Sequence, residues 1–222
     1  MSGRERMVAA AASHLRDGET VLVGVGMPGE AATLAQSRHA PNILLVYESG
    51  AVGSRPAKPP LSIGDPTLFA GALAATSVGD CFGYVIEGGM IDTAFVGAAE
   101  IDRAGRLNST VVGPYERPKV RLPGSGGACE IVDAARRVLV MTPLERRRLP
   151  ERVGFVTSAP REGTEVLVVT DRCLLRRAPG AEELVLEQLY GETTVEEVQA
   201  EVGWELAVSE ELTTLEEVGA DA

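Results

Sequence analysis

Residues 20–47 read TVLVGVGMPGEAATLAQSRHAPNILLVY, and this stretch decides the fold of the chain. Its first run, residues 20–25, is apolar and rich in valine, which predicts a buried parallel strand. A glycine turn, a helix over residues 30–38 and a second apolar run over residues 42–47 follow. Strand, helix and strand within this distance predict a βαβ unit with a right-handed crossover.

The same alternation of strands and helices continues along the chain. Helices are expected at residues 4–16 and 70–77, and another leads from a glycine-rich loop to residue 135, whereas residues 81–87 are ambiguous. Further strands are predicted at residues 91–96, 137–141, 165–170 and 173–176. The sequence therefore predicts an α/β fold within residues 1–180, an open and mainly parallel sheet with helices on both faces.

Composition and charge divide the chain into two parts. Of its 222 residues 45% are hydrophobic and 4% aromatic, so the core must consist mainly of aliphatic side chains. The net charge of −11 is uneven, because residues 181–222 hold 13 of the 32 acidic residues and none of the 21 basic ones. Val195, Val198 and Val202 recur there at helical spacing. Residues 181–222 are therefore predicted to be an acidic, helical C-terminal appendage.

Several classes of function are not expected. An acidic protein repels phosphate backbones, which argues against nucleic-acid binding, and no apolar run approaches the roughly 20 residues of a membrane helix. Cys81, Cys129 and Cys173 are too far apart to form a CxxC pair. His14 and His39 are the only histidines, so no metal site is expected. The sequence shows no secretion signal and fits a reducing compartment, which predicts a cytoplasmic protein.

The glycine turn of the opening stretch is the first candidate site. Residues 24–29 match the pattern GxGxxG, and Glu48 lies 19 residues beyond Gly29. A dinucleotide-binding fold has its ribose-binding acid at this distance, so an NAD-dependent dehydrogenase domain is one alternative. Pro28 removes a backbone N–H from the turn and argues against it. A tight turn that simply needs glycine is the commoner explanation.

Glu48 is the second candidate, because it comes directly after the strand at 42–47 and precedes Ser49-Gly50. The carboxyl end of such a strand faces the crevice in which open α/β sheets bind ligands. A carboxylate there can act as a nucleophile, a base or a ribose ligand. The alternative is a solvated loop acid without a function.

Two further glycine-rich loops complete the set of candidate segments. The sequence GAA at 97–99 follows the strand at 91–96, and GSGGA at 124–128 precedes a helix. Small residues let the backbone approach a ligand, and successive N–H groups can stabilise an anion. Together with Glu48, these loops point to acyl chemistry, in which a nucleophile works beside donors for an oxyanion.

Residues 45–53, LVYESGAVG, resemble the Ser-Glu-Asn-Gly signature of class I coenzyme A-transferases. They are closer still to the Glu-Ser-Gly version in B subunits of the glutaconate type, although Tyr47 and Ser49 replace the Ser and Asn of the commoner signature. The resemblance continues, in order, through residues 95–128, 144–148 and 155–160. It spans residues 5–180 and matches only the second half of a two-part enzyme.

In this family, the glutamate that matches Glu48 attacks an acyl-CoA, and the released CoA then forms a glutamyl-CoA thioester. The resemblance implies that Glu48 is the catalytic nucleophile and that the substrates are an acyl-CoA and a small carboxylic or dicarboxylic acid. Coenzyme A thioester would be a substrate, with no permanently bound cofactor. The residues implied to line the CoA pocket are Gly97, Ala98, Gly124, Gly126, Gly127 and Ala128.

The resemblance also implies a partner, since the first half of the enzyme is a separate A subunit or domain. An α2β2 or larger complex is expected. Some relatives are CoA-ester hydrolases or decarboxylases that have lost the glutamate, so Glu48 favours a transferase. The arginines at 146–148 fit either CoA phosphates or, as we favour, a solvated or salt-bridged surface.

Overall fold

The computed structural model describes residues 1–58 and 60–216. The helices are α1 (Gly3–Ser13), α2 (Met27–Arg38), α3 (Val78–Asp80), α4 (Ala128–Ala134) and α5 (Val195–Ala200), with a 3-10 helix at Pro66–Phe69 and a π-helix at Cys81–Ile86. The strands are β1 (Thr20–Leu22), β2 (Leu44–Val46), β3 (Ala51–Ser54), β4 (Ala74–Ala75), β5 (Thr93–Phe95), β6 (Glu100–Ile101), β7 (Leu107–Asn108), β8 (Val111–Val112), β9 (Val120–Arg121), β10 (Arg137–Met141), β11 (Glu165–Val169), β12 (Cys173–Arg177), β13 (Val185–Tyr190) and β14 (Ala207–Leu215).

The described residues form one ten-stranded sheet in the order β14-β13-β12-β11-β10-β5-β1-β2-β3-β4. Its five central strands, from β11 to β2, run parallel, and β13 is also parallel to β14. The strands that flank the central five pair antiparallel with their neighbours. Two small two-stranded sheets, β6-β7 and β8-β9, lie outside the main sheet. The predicted open, mainly parallel α/β sheet is confirmed.

The sheet buries apolar side chains on both faces, because neighbouring residues of a strand point to opposite sides. In β10, Val138 and Val140 belong to the core on the face of α4 and α5, whereas Leu139 belongs to the core of α1 and α2. Burial of each such side chain contributes about 1.5–3 kcal/mol. The prediction of helices on both faces is confirmed.

Capping residues and a glycine turn set the first residues of α1 and α2. The Ser2 side chain accepts from the backbone of Glu5, and the Glu5 side chain accepts from the backbone of Ser2, which forms a capping box for α1. Helix α2 follows Gly26 and carries Pro28 in its first turn, where the missing N–H costs no helical hydrogen bond. The helix therefore begins directly after the glycine turn of β1.

The acidic C-terminal segment has a different structure from the predicted helix. In residues 181–216, β13 and β14 add two strands to the sheet, and α5 is the helix that the valine spacing predicted. Leu186 and Tyr190 of β13 are fully buried in the two cores on the faces of the sheet, and the backbone of β13 pairs with β12. The sheet thus continues across residue 180. Residues 217–222 lie outside the described part of the chain.

The structure corrects the prediction for residues 70–77 and assigns the ambiguous residues 81–87. Residues 70–77 form a turn and the edge strand β4 in place of the expected helix, since Gly71 has a φ of +66° and β4 pairs with β3. The ambiguous residues 81–87 begin with the π-helix that continues α3. In the described part of the chain, no helix is both long and apolar enough to cross a membrane.

Candidate active site

A pocket of about 410 Å³ opens at the carboxyl ends of β1, β2 and β5. The chain winds from β1 to β2 in one direction along the sheet and from β5 to β10 in the other, so the direction of winding reverses between β1 and β5. Open α/β sheets bind ligands at this reversal point. Leu22 and Val23 line the pocket from the end of β1, and Phe95 and Val96 line it from the end of β5.

Every residue that the sequence assigned to the site lines this pocket. Glu48 comes from the turn after β2, and the two glycine loops come from the end of β5 and the start of α4. The assigned residues in the lining are Glu48, Gly97, Ala98, Gly124, Gly126, Gly127 and Ala128. The fold thus brings three separate segments of the chain together, and their catalytic roles stay a prediction.

A tight turn between β2 and β3 presents Glu48 to the pocket. The Tyr47 N–H donates to the carbonyl of Ala51, and the Gly50 N–H donates to the carbonyl of Tyr47, both at 2.9 Å. Gly50 has a φ of +102°, and a Cβ there would overlap the carbonyl of Thr76. The Thr76 N–H in turn donates to the Gly50 carbonyl at 2.9 Å. Only glycine fits at residue 50, and the three backbone hydrogen bonds hold the turn that carries Glu48.

The Glu48 carboxylate itself is left unpaired. Among the residues that the structure describes, it makes no hydrogen bond and no ion pair. Its Oε2 lies 3.1 Å from the position that a Cβ would take at Gly127, so the carboxylate faces the second glycine loop. It is the one charged side chain among the described residues that line the pocket. An acid in this position is available to a ligand.

Two buried side chains adjoin the Glu48 turn. Tyr47 is fully buried, and burial raises the pKa of its hydroxyl to about 12. Cys81 is fully buried, and its thiol donates to the Tyr47 carbonyl with an Sγ···O distance of 3.6 Å. Burial and, second, the charge of Glu48 raise the pKa of the Cys81 thiol. Both neighbours therefore stay neutral at physiological pH.

The glycine loops offer backbone donors to the pocket. The Gly124 N–H donates to the Ser109 carbonyl at 2.9 Å, and the Ser109 hydroxyl donates back to the Gly124 carbonyl at 2.8 Å, which fixes the second loop. The next N–H groups of this loop, at Gly126 and Gly127, bond to no acceptor in the described part of the chain. Unpaired N–H groups beside a carboxylate are suited to bind an oxyanion.

The GxGxxG turn has a packing role in this fold. Gly24 lines the pocket. A Cβ at Gly29 would lie 3.2 Å from the Gly24 carbonyl, so glycine lets α2 lie close to the end of β1. Gly26 has a φ of +90°, which favours glycine at the start of α2. These contacts favour the interpretation of the motif as a tight strand-to-helix turn.

Sequence reasoning missed the apolar part of the lining. Leu22, Val23, Phe95 and Val96 end the two strands on either side of the reversal point, and a correct strand order would have found them. Ile63 comes from the proline-rich loop, where no pattern in the sequence points to a pocket. The missed residues give the site apolar lining beside its glycines.

The arginines at 146–148 lie outside the pocket lining. Arg146 donates to the carbonyls of Ala200 and Val202 at 3.0 and 2.8 Å. The other two arginines pair with Glu145 at 2.6 and 3.1 Å. The favoured interpretation of this stretch as a salt-bridged surface is confirmed.

Fold and pocket together define an open α/β protein whose ligand crevice holds one carboxylate among glycine loops. The chain belongs to the Coenzyme A transferase family, whose model matches residues 4–201. It is 38% identical to the B subunit of 3-oxoadipate CoA-transferase from Pseudomonas knackmussii, over 95% of this chain and 86% of that protein. The class of enzyme inferred from the signature around Glu48 is therefore confirmed.

The fold of this chain is also similar to the folds of solved structures. Glutaconate coenzyme A-transferase from Acidaminococcus fermentans matches with a TM-score of 0.87 and 26% identity, over 100% of this chain and 91% of that chain. The decarboxylase AibA/AibB matches with a TM-score of 0.85 and 26% identity, over 96% of this chain and 88% of that chain. The similarity to the glutaconate type is confirmed, and the decarboxylase shows that the fold alone does not fix the reaction.

Proposed function

We propose that this chain is the B subunit of a class I CoA-transferase and that Glu48 is its nucleophile. The observation that carries the proposal is the unpaired Glu48 carboxylate, held by a rigid turn in a pocket of glycine loops. The acceptor is a small carboxylic or dicarboxylic acid. Among the acids named for similar proteins, 3-oxoadipate is the first candidate, since that relative is 38% identical.

The reaction runs in two half-reactions at Glu48. In the first, the carboxylate attacks the thioester of the acyl-CoA, the C–S bond breaks, and an acyl-glutamyl anhydride and CoA thiolate form. The thiolate attacks the glutamyl carbonyl, which releases the first acid and leaves a glutamyl-CoA thioester. In the second, the acceptor acid attacks this thioester to form a new anhydride, and the thiolate attacks its acyl carbonyl. The products are the new acyl-CoA and the free Glu48 carboxylate.

The pocket supports these steps in two ways. Each attack on a carbonyl forms an oxyanion, for which the N–H groups of Gly126 and Gly127 are available donors. Both the anhydride and the thioester are lost if water reaches them. The apolar lining formed by Leu22, Phe95 and Ile63 favours exclusion of water from the reacting carbonyl.

The proposal includes an A subunit, in an α2β2 or larger complex. Leu61, Leu73 and Tyr84 are 90%, 79% and 72% exposed, and Tyr84 belongs to the π-helix that contacts the Glu48 turn through Cys81. Large apolar side chains on a surface favour a partner protein. A partner on this side would also cover the open mouth of the pocket. Coenzyme A enters as a thioester substrate, and we propose no resident cofactor.

A decarboxylase is the second candidate function, because AibA/AibB has the same fold. It predicts release of CO2 from an acyl-CoA substrate and no need for a carboxylate nucleophile. The unpaired Glu48 favours the transferase. An NAD-dependent dehydrogenase is less favoured, since the glycines at 24–29 serve packing in this fold and the family match is to CoA-transferases.

The test uses this chain co-expressed with its A subunit. Initial rates of CoA transfer from succinyl-CoA to 3-oxoadipate and to a panel of short acids are measured at varied concentrations of both substrates. Parallel double-reciprocal lines are expected, because the two substrates react in separate half-reactions. Intersecting lines, or CO2 release without transfer, would contradict the proposal. Glu116→Gln, at an exposed position outside the pocket lining, serves as the matched control for Glu48→Gln.

A further inference from the structure

The π-helix Cys81–Ile86 lies next to Glu48, and the proposed reaction uses none of its side chains. It continues α3 without a break and contains hydrogen bonds that span five residues. The Glu87 N–H donates to the Phe82 carbonyl at 2.9 Å, and the Met90 N–H donates to the Val85 carbonyl at 3.1 Å. Such widened turns are rare and occur frequently at functional sites. The contacts of this one connect two parts of the pocket.

The first contact is made with the Glu48 turn. Cys81 opens the π-helix, and its thiol donates to the carbonyl of Tyr47, the residue before Glu48. The backbone of the π-helix is thereby tied to the strand that carries the carboxylate. Phe82 is the next residue of the π-helix, and its carbonyl accepts the first of the five-residue hydrogen bonds.

The second contact is made with the glycine loop. A Cβ added at Gly127 would overlap the Cζ atom of Phe82 and would lie 2.7 Å from its Cε1 atom. The same Cβ would lie 3.1 Å from Oε2 of Glu48. The edge of the Phe82 ring, the Glu48 carboxylate and the Cα atom of Gly127 therefore meet at one point.

The backbone does not require a glycine at residue 127. Its φ of −84° and ψ of 2° are accessible to any L-residue. What excludes a side chain at Gly127 is the pair of neighbours, Phe82 and Glu48. The Phe82 ring occupies the space that a side chain at residue 127 would need. The contact between Phe82 and Gly127 therefore limits how closely the loop at 124–128 approaches the Glu48 carboxylate.

We propose that Phe82 is a positioning residue that fixes the distance between the Glu48 carboxylate and the N–H groups of Gly126 and Gly127. The inference rests on the proposed role of Glu48 as the nucleophile. With a shorter side chain the loop loses its support and the oxyanion donors move away from the reacting carbonyl. A displacement of about 1 Å at a reacting centre can cost about 100-fold in rate.

The test compares Phe82→Leu, Gly127→Ala and the double variant in the complex with the A subunit. Each single variant is expected to lower kcat by about 10- to 100-fold, with KM for acyl-CoA changed less than about threefold. The double variant is expected to recover much of the loss of Gly127→Ala, because leucine leaves room for the added methyl group. Phe69→Leu removes a partly exposed ring outside the pocket lining and is the matched control.

Residues in contact are coupled in stability as well as in activity, so rescue counts for positioning only where kcat recovers without a matching recovery of the unfolding temperature. An additive double variant, or a wild-type kcat in Phe82→Leu, would overturn the inference. Thermal unfolding of each complex checks the fold, and Phe82→Met replaces Phe82→Leu if the latter does not assemble. If the wild-type complex forms no glutamyl-CoA, the proposed function fails. If it does and Phe82→Leu keeps full kcat, only the positioning role fails.

Discussion

Glu19 and Glu48 lie at opposite ends of two neighbouring parallel strands, and only one of them is paired with a cation among the described residues. Glu19 precedes β1, and Arg137 donates to both of its carboxylate oxygens at 2.8 and 2.7 Å while the Thr93 hydroxyl donates at 3.2 Å. The Arg137 and Glu19 side chains are only 7% and 13% exposed. Glu48 follows β2 at the other end of the sheet and has no partner among the described residues.

The difference separates a structural acid from the acid that we propose as the nucleophile. The charge of Glu19 is compensated, so its removal would leave Arg137 buried without its ion-pair partner. Glu165 and Asp92 would still act on the charge of Arg137. Glu48 is positioned by its backbone alone, and its carboxylate contributes no hydrogen bond or ion pair within the described part of the chain. Its loss should therefore damage chemistry and spare the fold, whereas the loss of Glu19 should do the reverse.

The largest expected effect is on the activity of Glu48→Gln. CoA transfer should fall by about four orders of magnitude or more, because the proposed ping-pong route would lose its nucleophile. The free energy of unfolding should change by less than about 0.5 kcal/mol, since no interaction of the carboxylate is removed. Transfer assays and urea unfolding of the complex measure the two quantities. A stability loss as large as that of a buried ion pair would break the distinction between the two acids.

Glu19→Gln should give the opposite result. The unpaired Arg137 should lower the free energy of unfolding by about 3 kcal/mol, while kcat of the assembled complex stays within about twofold of wild type. Adding Arg137→Met removes the buried charge and should restore part of the stability. Chemical denaturation measures both steps. If kcat fell together with stability, the ion pair would be coupled to the pocket after all.

A third region sharpens the comparison. Truncation after Leu206 removes β14, whose side chains are mainly exposed, and it uncovers the backbone of β13. We expect a stability loss of about 1–2 kcal/mol and aggregation through the new sheet edge. The specific activity of the folded complex should remain nearly intact, which size-exclusion chromatography coupled to the transfer assay would show. A drop of several orders of magnitude in the specific activity of the folded complex would give this edge a role in catalysis.

The smallest expected effect is on the pH dependence of stability and concerns His14, which lies near Arg137. Burial and, second, the charge of Arg137 lower the pKa of His14 below its ordinary 6.5. His14 therefore binds a proton more readily in the unfolded chain than in the folded chain as the pH falls through 6.5. The free energy of unfolding decreases as the pH falls. His14→Gln should flatten this dependence in unfolding curves at successive pH values, and His39→Gln is the control. An unchanged slope in His14→Gln would show that other groups cause it.

Much of the fold could be predicted because buried parallel strands consist of uninterrupted apolar runs. Residues 137–141 were predicted as a strand and are β10. The convergence of Glu48 with the loop at 97–99 could also be predicted, since the carboxyl ends of parallel strands share one edge, whereas the loop at 124–128 follows no strand of the main sheet. Each of these inferences depends on local sequence and on one general property of parallel sheets.

The remaining features depend on contacts between distant residues. The π-helix at Cys81–Ile86 has no sequence period of its own and is held by contacts with Tyr47 and Gly127. Strand β13 carries one acid, Glu187, among its apolar residues, and its pairing with β12 and β14 decides against a helix. The role of Phe82 follows from the space at Gly127, which no sequence pattern displays.

The central claim is that Glu48 becomes covalently bound to CoA, and mass analysis tests it most directly. The complex with the A subunit is incubated with acyl-CoA in the absence of an acceptor acid, reduced with borohydride and digested. Reduction of the thioester should convert the side chain of Glu48 into an alcohol, while Glu19 and the Glu48→Gln variant stay unmodified. An active complex in which Glu48 remains unmodified under these conditions would contradict the account.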